Sequence, residues 1–153
     1  MAKAIIQKFK VGDLEKQLMT TGERLRQVVV NTMCYVGEEC VKTARMNGDY
    51  NDITGNLRSS IGYAVLQNGH LVKSSKSKAF GGSKGNGEQG VSEGEELLKK
   101  LQGDYPKGIV LIVSAGMKYA VYVEAIHGRD VLTSSQLLAE TLVPQLLEEI
   151  GLK

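Results

Sequence analysis

The sequence predicts an α+β fold: a long N-terminal helix and a C-terminal helix packed on a small, mainly antiparallel sheet, with a long flexible Gly/Lys-rich loop. Three observations predict it. Apolar residues recur at helical spacing from Asp13 to Met46. Asn68-Gly69 separates two short apolar stretches, a strong hairpin signal. A second helical run, opened by Thr133 with Gln136, closes the chain. At 153 residues the chain is about one domain, read here as a single domain over 1–153.

The first helix is expected over 13–47. Leu14, Leu18, Leu25, Val28, Val29, Met33, Val36, Cys40 and Ala44 form its stripe, Asp13 caps its start and Asn47-Gly48 ends it. Such a helix is about 50 Å long, whereas a globule of this size has a radius of gyration of about 15 Å. It must therefore project beyond its own domain or break, and Gly22 and Gly37 are the candidate break points. The hairpin is expected over 61–79 and the flexible loop over 80–91, where Gly, Ser, Lys and Asn offer almost nothing to bury. Ser92 with Glu95 makes a capping box for a short helix ending near Gly103. The segment 108–132 reads as a strand over Gly108–Ser114, a short helix from Met117 to Ala125, and a short strand at Asp130–Leu132. The strand is apolar on both faces, which predicts a central position. The last helix is expected over 134–150, kinked or split at Pro144, with the helices on one side of the sheet.

Composition excludes several classes. There are 19 Lys and Arg against 17 Asp and Glu, a net charge of +2, so the chain as a whole is no nucleic-acid clamp. Trp is absent and Phe occurs twice, so the core is expected to be mostly aliphatic. Cys34 and Cys40 lie six positions apart in one helix, about 9 Å along its axis, too far for a disulfide; this fits a reducing compartment. The longest aliphatic run, Ile109–Val113, is far short of a membrane span. Ala4-Ile5-Ile6 is too short a core for a signal peptide. The expectation is a soluble protein, intracellular when made, with no membrane partner.

Of the 18 glycines, six fall between Gly81 and Gly94. Gly85-x-Gly87-x-x-Gly90 matches the dinucleotide fingerprint in letters, but no apolar strand precedes it and no acid follows near Val110. Flexible loop is the better reading, and no cofactor is expected. His127 lies near Glu124 and Asp130, and His70 stands alone; neither spacing makes a metal site. Ser114-Ala115-Gly116 is not a nucleophile elbow. No catalytic constellation emerges. Charge is more informative. Lys73, Lys76, Lys78 and Lys84 form a run without an acid, followed by Glu88, Glu93, Glu95 and Glu96. The run reads as a solvated loop, or as an arm that touches an acidic neighbour or makes salt-sensitive, non-specific contact with DNA.

Two short clusters remain. In Thr54-Gly55-Asn56-Leu57-Arg58-Ser59-Ser60-Ile61, Gly55 permits a sharp turn, Leu57 and Ile61 anchor at helical spacing, and Arg58 presents a fixed fork of donors. In Tyr119-Ala120-Val121-Tyr122-Val123-Glu124, the two tyrosines share a helical face.

The order of long helix, T-G-x-L-R-x-S-I, hairpin, Gly-rich region, strand, Y-A-x-Y-V-E and final helix resembles the tail-completion or head–tail joining (neck) family of long-tailed bacteriophages, the lambdoid gene-product-ten type. The resemblance covers about residues 13–150. The family pattern falls on Thr54, Gly55, Leu57, Arg58, Ser60, Tyr119, Ala120, Tyr122, Val123 and Glu124. The resemblance implies a virion structural protein without enzymatic activity or cofactor. Such a protein forms a ring of six of its own subunits at the neck or upper tail, assembled in the host bacterial cytoplasm. Its partners are neighbouring neck, connector or tail-tube proteins, with non-specific contact to packaged DNA open to the 73–84 run. Arg58 and Glu124 are expected to lie close. A nucleic-acid-binding adaptor using Lys73 to Lys84 is the alternative, and a nucleotide-using enzyme built on the Gly-rich loop is a third reading.

Overall fold

The computed structural model describes residues 11–47, 52–117, 120 and 131–151. Helix α1 spans Val11–Asn47 without interruption. Its 37 residues make it about 55 Å long. It includes Val11, so Asp13 lies within the described helix and not at its cap, a shift of the size that local capping signals leave open. Neither glycine breaks it. Gly37 keeps helical geometry because its bare α-carbon faces the ring of Tyr63. Packing there offsets the roughly 1 kcal/mol intrinsic penalty of a helical glycine.

Gly55, with φ 75°, turns the chain into the short helix α2, Asn56–Ser59. Strand β1, Ile61–Gln67, follows, then β2, His70–Ser74. Asn68 and Gly69 both have positive φ, 51° and 81°, as the tight hairpin turn requires. The hairpin register slips between Val65 and Leu66. Strand β3, Ile109–Ala115, pairs antiparallel with β1 along its whole length.

The order is β2-β1-β3, so β1 is central and β3 has a strand on one side only among the described residues. This corrects the expected central position of β3. Residues apolar on both faces report layers above and below a strand, not neighbours beside it. Those layers exist, and they correct a second expectation, that the helices lie on one side. On one face Ile61, Tyr63 and Val65 pack with Val30, Val41 and Ala44 of α1. On the other, Ala64, Leu66 and Ile112 pack with Leu98 of the next helix.

That helix, α3, spans Glu88–Gln102. It starts four residues before the expected Ser92 cap, which lies inside it. Gly87, at φ 79°, leads in, and Asn86 Oδ1 accepts from Glu88 N at 3.2 Å. The early start was hidden because the packed face of the first two turns is glycine, which carries no hydrophobic period. Val131 and Leu132 form a bend, not a strand, while Asp130 lies outside the described residues. Helix α4, Thr133–Glu149, then runs through Pro144 without splitting. Proline removes one donor and leaves the rest of the ladder able to form. α4 packs along α1. Ser135 Oγ donates to Cys40 O at 2.7 Å, and Cys40 Sγ donates weakly to Ser135 O at 3.4 Å. Both cysteines are free thiols. Of the expected Met117–Ala125 helix, only Met117 and Ala120 are described; both are buried.

Candidate functional site

The Thr54–Ile61 cluster is where the chain is most tightly knotted. Thr54 Oγ1 accepts from Asn56 N at 3.3 Å, and Ser59 Oγ donates to Gly55 O at 2.7 Å. Leu57 and Ile61 are buried, so the expected anchors hold. Ser60, also buried, donates to Leu57 O at 2.7 Å, and its own carbonyl accepts from Gly116 N at 3.2 Å. The motif thus ties the end of α2 to the end of β3.

Arg58 Nε donates to Asp52 Oδ2 at 2.8 Å. The other carboxylate oxygen of Asp52 is buried without a hydrogen-bond partner among the described residues. Glu124, expected beside Arg58, lies outside the described residues, as do Tyr119, Tyr122 and Val123. The sequence reading missed two members of this cluster, Arg45 and Phe80. Arg45 Nη2 donates to Ile61 O at 2.8 Å. The guanidinium carbons of Arg45 and Arg58 lie 5.4 and 5.9 Å from the centre of the Phe80 ring, and Lys78 Nζ lies 5.0 Å from it. Three cations around one ring place a local positive charge on this flank. Nothing along the chain signals the cluster, because its cations come from positions 45, 58 and 78.

The Gly-rich segment is pinned to this cluster. Phe80 N donates to Ser59 Oγ at 2.8 Å, Ser83 N to Asp52 O at 3.1 Å and Lys84 N to Ile53 O at 2.6 Å. Gly82 and Gly85 form a bridge of their own. Gly90, the last fingerprint glycine, and Gly94 have a packing reason. A β-carbon at Gly90 would stand 2.0 Å from Asn56 O, and one at Gly94 would stand 2.5 Å from Ser60 O. Spaced four apart on one face of α3, these glycines let the helix lie directly on the backbone of the T-G-x-L-R motif.

Lys73, Lys76, Lys78 and Lys84 are all exposed. Lys73 lies on β2, with Nζ 3.9 Å from Glu38 Oε1. Both side chains are over half exposed, so the pair contributes little. Glu38 also accepts from the Tyr63 hydroxyl at 2.7 Å. Burial, reinforced by that carboxylate, pushes the Tyr63 phenol well above its ordinary range. Burial likewise pushes the thiols of Cys34 and Cys40 up, against thiolate formation and nucleophilic use. His70 is exposed and His127 lies outside the described residues. Among the described residues no group of histidine, cysteine and carboxylate side chains converges as a metal site. No described helix is long and apolar enough to cross a membrane.

Two clefts flank the sheet. One, of about 310 Å³, lies between the hairpin and α3, and its lining includes five serines, Arg45, Glu95 and Lys99. The other, about 340 Å³, is bounded by Cys40, Leu111 and Val113 and by Leu132, Ala139 and Glu140 at the start of α4.

The helices leave apolar surface uncovered. Leu25, Val28 and Tyr35 of α1 are 42%, 40% and 53% exposed. In α4 the sole buried residue is Ser135; Leu137 is 58% exposed, and Leu138, Leu142, Val143, Leu146 and Leu147 are only half-buried. Comparison with protein-family models, with curated proteins and with solved structures finds no match.

Proposed function

We propose that this chain is a structural virion protein of a tailed bacteriophage, forming a ring at the neck or upper tail end that completes the tail and joins it to the head. The observation that carries the reading is the apolar surface left open on α1 and α4. Apolar side chains exposed on two helices supply the kind of surface that partners cover, and a ring needs two different patches that meet head to tail and close. The paired motifs supply the assignment to the neck family, and the tight packing of Thr54–Ser60 supports their role as a structural hub rather than a reaction centre.

The test is sedimentation of the purified chain together with negative-stain imaging. Closed rings of uniform size support the reading. A chain that stays monomeric at its solubility limit overturns it.

The nucleic-acid adaptor is the second reading, favoured by the exposure of all four lysines from Lys73 to Lys84. It requires duplex DNA binding that weakens steeply with salt and is lost when the lysines are replaced. Binding indifferent to salt, or none, removes it.

A further inference from the structure

The two unfinished surfaces of the subunit lie at opposite edges and carry opposite charge. At one edge is β2. All five of its residues are exposed, and Leu71 and Val72 are 49% and 45% exposed. Among the described residues its outer side has no strand partner. From Leu71 to Asn86 the chain carries four lysines and no acid; Lys73 lies on β2 itself, 3.9 Å from Glu38 of α1, Lys76 follows two residues after the strand as the exposed base nearest its end, and Lys78 lies over the Phe80 ring. Toward the other edge, α4 packs along α1 and faces Leu111 and Val113 of β3 across the 340 Å³ cleft. Helix α4 carries Glu140, Glu148 and Glu149 and no base, with Leu137 turned outward at 58% exposure.

We infer that the β2 edge of one copy and the residues just after it, centred on Val72 and Lys76, dock on helix α4 of the next copy, centred on Leu137 and Glu140. The inference rests on the ring reading and names its contact. Charge selects the pairing. Either patch against itself sets lysine on lysine or glutamate on glutamate, and like charges facing each other oppose association. Each patch against the other matches apolar with apolar and base with acid. Both halves of the complementary pair are on this one chain, so the fitting occupant is a second copy. Patches at opposite edges produce a head-to-tail contact that repeats and can close into a ring.

The experiment uses the full chain and two single variants, Val72→Asp and Leu137→Asp. Both side chains are exposed, so neither change opens the core, and circular dichroism checks the fold. Wild type is expected to sediment as a closed ring and each variant alone as a monomer. An equal mixture of the two is expected to stop at a dimer, because one good β2 edge meets one good α4. Lys76→Glu and Glu140→Lys supply the second arm. Each alone is expected to weaken assembly by about tenfold, with a smaller loss at high salt, and both in one chain are expected to restore it. If wild type forms rings and the variants assemble equally well, this contact is wrong and the ring reading stands. A wild type that never assembles overturns both.

Discussion

The ring of Tyr63 occupies the space where a β-carbon of residue 37 would stand, with Cδ2 2.5 Å from that position. The central strand and the long helix therefore touch through a fully buried aromatic face and a bare backbone. The hydroxyl of the same tyrosine donates to Glu38, the next residue of that helix, at 2.7 Å.

Gly37→Ala is expected to destabilise the protein by about 1–3 kcal/mol, because Tyr63 is held in the core and has no free side to move to. Gly22→Ala, in the same helix with open space around it, is expected to stabilise by about 0.5–1 kcal/mol. Urea unfolding of the two variants checks the contrast. Equal effects would mean that the glycine–tyrosine contact is not tight.

The Tyr63 phenol gives a pH dependence with a definite sign. Its proton is held more tightly in the folded chain than in the unfolded one, where the ordinary value is 10.0. Below that pH both states are protonated and the group contributes no slope. Above it the unfolded state loses the proton first, so stability falls as pH rises. Tyr63→Phe is expected to remove that alkaline slope and to cost about 1 kcal/mol at neutral pH through the lost bond to Glu38. Unfolding titrations from neutral to strongly alkaline pH read both.

Gly90→Ala is expected to be among the most damaging single changes in the chain, at about 3 kcal/mol, since the added carbon meets the Asn56 carbonyl at 2.0 Å. Gly103, at the end of the same helix, has only a 3.7 Å neighbour and φ −68°. Gly103→Ala should stay within about 0.5 kcal/mol. Thermal melts of the pair separate close packing from mere helix propensity.

Arg58 and Asp52 should show a coupling of about 1 kcal/mol in a double-mutant cycle with alanine. Their contact is short but partly solvated, at 20% and 25% side-chain exposure. No measurable coupling would remove this pair from the forces holding the Gly-rich segment in place.

Much of the architecture was readable. The α1 stripe, the Asn68-Gly69 hairpin, the β3 segment and the α4 helix all carry signals that act over a few residues, such as a period or a turn dipeptide. The expected caps fared less well, since Asp13, Ser92 and Thr133 each lie inside their helices. Leu57 and Ile61 are both buried, but Ile61 lies on β1, so helical spacing is not what anchors it. The start of α3 was not, because Gly90 and Gly94 bury backbone rather than side chains and leave no periodic trace. Nor was the cluster around Phe80, whose cations come from positions 45, 58 and 78, far apart in sequence.

By itself the sequence determined the α+β class, the length of α1, the hairpin turn and the separation of the two free cysteines, since each follows from neighbours along the chain. Only the tertiary structure decided that β2 and β3 lie at opposite edges of the sheet, that α3 covers the second face, and that the glycines are contact points. Lateral strand order and backbone-to-backbone packing depend on which distant segments meet. That is settled by the fit of whole layers and not by any local pattern.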